Sequence, residues 1–253
     1  MTTKYEYTRQ AEFRSWANYL KELPPNRNSS ILDLGCGLGT TTKLLASKYS
    51  HVTGIDCNTT FVNNAVKDEQ AANIRFIKAD LRKINDLKLP KADGIWCSFT
   101  AAYFPDFNEV LPNWIRFLNT GGWISLVEVN DLFNHSPLSK DTHDVFADHY
   151  RKLFAGNQYD FMMGSKLKYY AEKYHLRIIK NLEMSDPEFT FSGAANESVV
   201  AAWQDRLRRM TGFRKSLGEK GFDKVEHEFL DCIRRDDHIS FAKINFLIAE
   251  LSS

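Results

Sequence analysis

The stretch that most constrains this chain runs from Ile31 to Thr40. A short apolar segment, Ile31-Leu32-Asp33-Leu34, breaks into three glycines at alternate positions, Gly35, Gly37 and Gly39. Helix-compatible sequence follows from Thr41 to Tyr49. A strand, a tight turn and a helix start in that order aim backbone N–H groups at the polar atoms of a ligand. Glycine suits such a turn because a Cβ would block close approach and disfavour positive φ. The dinucleotide fingerprint G-x-G-x-x-G/A asks for Gly or Ala at position 40. Thr40 stands there, which weighs against a nicotinamide-dependent oxidoreductase.

The periodicity predicts further alternating units along the chain. Phe13, Trp16, Ala17, Leu20 and Leu23 recur at helical spacing over 9–23, and Pro24-Pro25 ends that helix. His51 to Asp56 reads as a second strand with an acid at its carboxyl end. Asp56 lies 17 positions beyond Gly39 (56 − 39), near the roughly 20-residue offset of acids that accept from ribose hydroxyls. A helix over 59–70 leads to a third strand, 74–80, which closes on Asp80. Asp80 would also serve as a turn or capping residue. Strand four, 92–99, is apolar after a charged start, as a central parallel strand should be. A helix over 107–118, Gly121-Gly122 as cap and turn, and strand five over 123–129 complete the series.

Hydrophobic-Asp-Leu-Gly-Cys-Gly-x-Gly over 31–39, followed by Asp56, Asp80 and Leu-Asn-Thr-Gly-Gly-Trp over 118–123, resembles the class I S-adenosylmethionine (SAM)-dependent methyltransferases. The resemblance covers 31–129 without a break. It implies an α/β fold: a doubly wound, seven-stranded, mostly parallel sheet with an antiparallel last strand. It further implies SAM as cofactor and S-adenosylhomocysteine as product. Cofactor-binding positions carried over are Asp33, Gly35, Cys36, Gly37 and Gly39 of the loop, then Asp56 with Cys57 for the ribose. Asp80 and Leu81 would meet the adenine, and Ser98 the wall beneath it. Arg14, on an N-terminal helix that family members use as a lid, would meet the cofactor's carboxylate. Cys97-Ser98-Phe99-Thr100 does not match the Asn/Asp-Pro-Pro-Tyr/Phe of N6-adenine methyltransferases, which argues against nucleobase amines.

Beyond strand five the template loosens. One methyltransferase domain over 1–253 is expected, with a core of 25–130, 166–186 and 237–251. Insertions at about 131–165 and 187–236 would cap the site, and strands six (176–182) and seven (239–248) would close the sheet. The first insertion is rich in aromatics and histidines, suited to enclosing a small acceptor. Tyr103, Phe133 and Tyr7 are the expected acceptor neighbours. His135 is the expected base, since it follows strand five and histidine titrates near neutrality. Glu128 and Asp131 are weaker candidates. The spacings at His143/His149 and His227-Glu228 do not suit a metal site.

Composition bounds the partners. Formal net charge is +1 over 253 residues, so no global field recruits nucleic acid or an anionic membrane. Four scattered cysteines, Cys36, Cys57, Cys97 and Cys232, form no C-x-x-C pair and read as reduced thiols. The polar start, Met1 to Tyr7, and the lack of an apolar run long enough to span a bilayer lead to the expectation of a cytoplasmic protein. The expected function is methyl transfer to a small molecule at oxygen or nitrogen. A protein or RNA methyltransferase is the enzymatic alternative, and a non-catalytic SAM- or S-adenosylhomocysteine-binding module the other. Oligomeric state is not legible.

Overall fold

The computed structural model describes residues 13–25, 29–68 and 71–252. Its framework is a seven-stranded sheet, built from β1 (Ser30–Leu34), β2 (His51–Asp56), β3 (Ile74–Lys78), β4 (Ala92–Ser98), β5 (Leu118–Asn130), β6 (Leu176–Met184) and β7 (Lys243–Leu251). The order is β3-β2-β1-β4-β5-β7-β6. The β1–β2, β2–β3, β1–β4 and β4–β5 pairs are parallel, whereas β7 runs antiparallel to both β5 and β6. This is the doubly wound sheet expected, with its antiparallel last strand.

β1 is central because its residues from Ile31 to Leu34 are all buried, as a strand covered on both faces must be. Successive side chains point to opposite faces. Ile31 and Trp96 enter one cluster with Tyr19, Trp123 and Phe246, and Leu32, Leu34 and Ile95 enter the other with Trp114, Leu118 and Leu247. The first cluster continues past the sheet into Phe133, Phe146, Trp203, Phe213 and Phe229, so the cap shares its core with one sheet face. Helices α1 (Trp16–Leu20), α2 (Thr40–Ala46), α3 (Thr59–Asp68) and α4 (Leu111–Ile115) belong to the sheet layers. α5 (Lys140–Ala155), α6 (Met163–Lys173), α7 (Glu197–Arg209) and α8 (Thr211–Ile233, kinked at Gly218) come later.

Several boundaries differ from the sequence expectation. Residues 9–12 of the expected first helix lie outside the described residues. The helix expected over 107–118 is a 3₁₀ turn, Phe107–Glu109, followed by the short α4. Pro112 opens α4, where its missing N–H costs nothing. Gly121-Gly122 do not cap a helix. They sit inside β5, where the register jumps from Ala92↔Leu118 to Gly94↔Trp123 and Gly121 takes φ +76°. Gly94 is the partner of that bulge: a Cβ there would lie 2.4 Å from the Trp123 ring. Ile239–Ser240, expected to begin the last strand, instead pair with His135–Ser136 in a separate two-stranded piece.

The register decides where chemistry can sit. Leu34 lies beside Ile55 and Cys97, and Cys97 beside Leu126. The loops after β1, β2, β4 and β5 therefore open on one edge. β1 has β2 on one side and β4 on the other, so the crevice lies at the strand-order reversal, where open α/β sheets bind ligands.

Candidate active site

A cleft of about 1170 Å³ opens at that edge. Gly35, Cys36, Gly37 and Leu38 form one wall, with Asp56, Cys57 and Asn58 beside them. Gly35 and Gly37 adopt φ +78° and +53°. Their roles differ. A Cβ on Gly35 would fall 2.1 Å from Thr100 Oγ1, so Gly35 permits the β1 and β4 loops to close on each other. A Cβ on Gly37 would meet nothing within 4 Å, so its face is open space.

Asp56 is held by two backbone donors: Gly37 N donates to Oδ2 at 2.9 Å and Asn58 N to Oδ1 at 2.8 Å. Each carboxylate oxygen keeps acceptor capacity, so the pair matches the two hydroxyls of a ribose. Across the cleft, Asp80 caps the 3₁₀ turn Leu81–Asp86 by accepting from Arg82 N at 2.9 Å. Leu81 supplies a buried apolar floor. Ser98 Oγ accepts from Trp96 Nε1 at 3.2 Å, and Phe99, at φ +51°, turns its ring beneath Arg14. An acceptor pair for a diol, an open glycine face and an apolar floor fit an adenosyl group.

The other half of the cleft is aromatic. Phe133, Tyr159, Phe161, Phe189 and Phe213 line it, with Tyr103 set edge-on to Tyr159 at 4.9 Å between centroids. Glu128, near the carboxyl end of β5, reaches this space although it is 1% exposed. Its oxygens accept from Ala102 N at 3.1 Å and Val129 N at 3.0 Å. Burial pushes its carboxyl up to about 7, against those two donors. Burial first, and the Glu128 charge second, hold the Tyr159 phenol well above its usual range. His149 lies tilted against Phe213, 4.6 Å between ring centres, and burial lowers it to about 4.

Of the residues expected from sequence, Arg14, Gly35, Cys36, Gly37, Asp56, Cys57, Asp80, Leu81, Ser98, Tyr103 and Phe133 line this one cleft. Tyr7 lies outside the described residues. Three expectations are corrected. Asp33 is buried away from the cleft and accepts from Thr41 Oγ1 at 2.9 Å and Thr42 Oγ1 at 2.6 Å, tying β1 to α2. Gly39 also stands outside the lining. At φ +80° it begins α2, and a Cβ would strike Phe76 at 2.6 Å. His135 is fully buried, 5.0 Å from the Phe229 ring and 5.3 Å from Trp203, so it cannot reach an acceptor. Its Nδ1 meets His238 Nε2 at 2.8 Å, and burial lowers it to about 3.

Arg206 and Arg209 of α7 also line the cleft and were not singled out from sequence; Tyr159 and His149 line it from the aromatic insertion expected to cap the site. For Glu128 the sequence held a signal: it is the lone charge inside the apolar run of β5. Among the described residues, no group of three or more His, Cys, Asp or Glu side chains could hold a metal. Nor is any described helix long and apolar enough to cross a membrane.

The strand order and the crevice define a class I methyltransferase fold. Residues 31–122 match the sequence model of a methyltransferase-domain family. A trans-aconitate 2-methyltransferase of Azoarcus sp. (strain BH72) is 26% identical over 125 residues, 48% of this chain and 48% of that protein. The chain thus spans about half the length of the curated relatives it matches. Haemonchus contortus phosphoethanolamine N-methyltransferase 2, solved with phosphomonomethylethanolamine and S-adenosylhomocysteine, aligns over 94% of this chain and 52% of that one. Its TM-score is 0.61 at 19% identity. The cyclase SpnF aligns over 96% and 82% with TM-score 0.61 at 15% identity. Both structural likenesses show the fold. Residues 31–122 thus form a methyltransferase domain, and the chain as a whole is similar in fold to class I SAM-dependent enzymes, whose cofactor is S-adenosylmethionine.

Proposed function

We propose that this chain transfers the methyl group of SAM to an oxygen or nitrogen of a small-molecule acceptor. The observation that carries the reading is one cleft whose adenosyl-fitting half continues directly into an aromatic half closed by the cap. The sheet and its two insertions act as one methyltransferase domain in this reading. Bound SAM would supply the activated methyl and a neutral thioether leaving group, so the protein's task is alignment and proton management.

Each residue then has a definable task. Asp56 holds the ribose diol, Asp80 and Leu81 bracket the adenine, and Gly37 leaves its backbone face open to the cofactor. Phe99 and Arg14 border the end at which the cofactor's carboxylate would lie. Phe133, Tyr159 and Phe161 exclude water and confine a flat acceptor. Glu128 takes the acceptor's proton, because a carboxylate titrating near neutrality is matched to that work and His135 is not accessible. The named substrates of the relatives, trans-aconitate and a phosphoethanolamine, are small molecules, which supports an acceptor of that size.

The test is incubation with SAM and a library of small carboxylic acids, phenols and amines, read by mass spectrometry for acceptors heavier by one methylene and for S-adenosylhomocysteine. Matched formation of both supports the proposal. Tight S-adenosylhomocysteine binding without any methylated product would count against methyl transfer and favour another use of this fold, such as the cyclase activity in SpnF's name.

A further inference from the structure

Two polar groups of opposite hydrogen-bonding sense stand in the aromatic half of the cleft, the Glu128 carboxylate and the Tyr159 phenol. Tyr159 follows α5, and its ring is clamped. Tyr103 meets it edge-on at 4.9 Å, and Phe161 lies 4.6 Å away with 60° between planes. The next residue fixes the backbone: Asp160 N donates to Ala102 O at 2.8 Å. The Asp160 carboxylate accepts from Met162 N at 2.9 Å and from Lys166 Nζ at 2.6 Å. Ala102 N in turn donates to Glu128 Oε2 at 3.1 Å. Ala102 thus holds both members of the pair, the loop that carries the phenol through its carbonyl and the carboxylate through its N–H. Their relative placement is set by backbone, which is how a binding pair is kept in one geometry.

The hydroxyl of Tyr159 differs from other phenols of the molecule. Tyr150 Oη accepts from Phe133 N at 2.7 Å, and Tyr49 Oη donates to Pro24 O at 2.7 Å. Tyr19 Oη has no hydrogen-bond partner among the described residues, but it is sealed in the core and Tyr19 does not line the cleft. Tyr159 Oη likewise makes no hydrogen bond to a described residue, yet it is not sealed and its residue lines the cleft. Burial, then the Glu128 charge, keep this phenol protonated, so it faces the cleft as a donor. A donor in apolar surroundings favours a ligand that accepts from it, because desolvating it without a partner is costly. Glu128 retains acceptor capacity beyond its two backbone bonds. Phe133 and Phe161, which share this half of the cleft, offer neither donor nor acceptor.

We propose that Tyr159 selects the acceptor: its hydroxyl donates to an oxygen or nitrogen on a flat ring whose second polar group, the hydroxyl or N–H to be methylated, points to Glu128. The inference rests on the methyltransferase reading and names the substrate class for that site, an aromatic that carries a carbonyl, ether oxygen or ring nitrogen as well as its nucleophile. Tyr159 is then an acceptor-binding residue with no part in proton transfer. A site built to bond a substrate's polar group rejects the analogue that lacks it, whereas ring faces alone discriminate weakly.

Calorimetric titration of the full chain, saturated with S-adenosylhomocysteine, tests it. The probes are the ortho, meta and para isomers of hydroxyacetophenone, each matched with the ethylphenol in which a methylene replaces the carbonyl. The expected result is one hydroxyacetophenone that binds at least about tenfold tighter than its ethylphenol, and the isomer preferred reports the angle between the two contacts. A carbonyl also acidifies the phenol and so strengthens its bond to Glu128, which makes Tyr159→Phe the deciding variant. It should bring the preferred isomer to within about twofold of its ethylphenol, with ethylphenol and S-adenosylhomocysteine affinities unchanged. A wild type that favours no carbonyl compound, binding of none of the six probes, or a preference that survives in Tyr159→Phe would overturn the proposal. Failure of S-adenosylhomocysteine to bind would instead overturn the methyltransferase reading, and the same titrations without it would still report on Tyr159.

Discussion

At the scale of single residues, two carboxylates separate by environment. Asp56 is half-buried and bonded to backbone donors on both oxygens, which fixes its carboxylate in the orientation that the proposed ribose contact requires. Asp56→Ala should weaken S-adenosylhomocysteine binding by about 10–100-fold, as expected from about 1.5–3 kcal/mol for hydrogen bonds to a charged group. Calorimetry reads this directly, and unchanged affinity would remove Asp56 from the site. Glu128 is displaced in the opposite sense: burial raises it from 4.5 to about 7. As a base it must be ionised, so turnover should climb as pH rises through about 7 and then level off. Glu128→Gln should abolish that limb and lower kcat by about 10²–10⁴-fold with cofactor affinity retained. The same shift has a stability consequence. A carboxyl with a raised folded-state value stabilises the fold below its unfolded value, and that contribution is lost as pH rises through about 7. Between pH 4.5 and about 7, wild type should therefore lose denaturant resistance more than Glu128→Gln does, and the difference should level off above that range. Asp56 was legible because an acid at that offset ends a strand. Glu128 was undervalued because burial, which raises its carboxyl and supports the proposed role as base, is a property of its surroundings.

At the scale of elements, the loop after β1 is one geometric unit with the loop after β4. Gly35 accepts the close approach of Thr100 and adopts φ +78°. Gly35→Ala should cost about 2–4 kcal/mol, combining the left-handed backbone penalty with displacement of Thr100. A fall in the urea midpoint with unchanged slope checks this, and a neutral substitution would show that the loops do not need this contact. The glycine pattern was readable from sequence as a turn, but the three glycines divide their labour in a way spacing cannot express. Gly37 faces open space, Gly35 faces Thr100 and Gly39 faces Phe76. The two contacts involve partners 65 and 37 positions away (100 − 35 and 76 − 39), beyond any local pattern. The β5 bulge is a similar case: Gly121-Gly122 look like a helix end until pairing with β4 places them inside a strand.

At the scale of the whole molecule, the buried His135–His238 pair joins the segment after β5 to the segment before β7. His135 Nε2 contacts Leu132 O at 3.2 Å and His238 Nδ1 contacts Gly193 O at 3.1 Å. Burial lowers His135 to about 3 and His149 to about 4, and lowers His238 as well. Below pH about 6.5 the unfolded chain takes up protons that these rings refuse when folded, so stability should fall steadily toward pH 4. Denaturant midpoints at pH 7.5, 6, 5 and 4, read by tryptophan fluorescence, check the trend, and His149→Gln should flatten it. A pH-independent midpoint would mean that other groups compensate. The sequence by itself determined the sheet, the strand-end acids and the cofactor, because period-two and helical patterns and a glycine turn are local consequences of backbone geometry. Only the tertiary structure decided that His135 is sealed, that Asp33 braces α2, and that Glu128, Tyr159, Arg206 and Arg209 share one cleft. Burial and neighbours set what a titratable side chain does, and both arise from residues far apart in the chain.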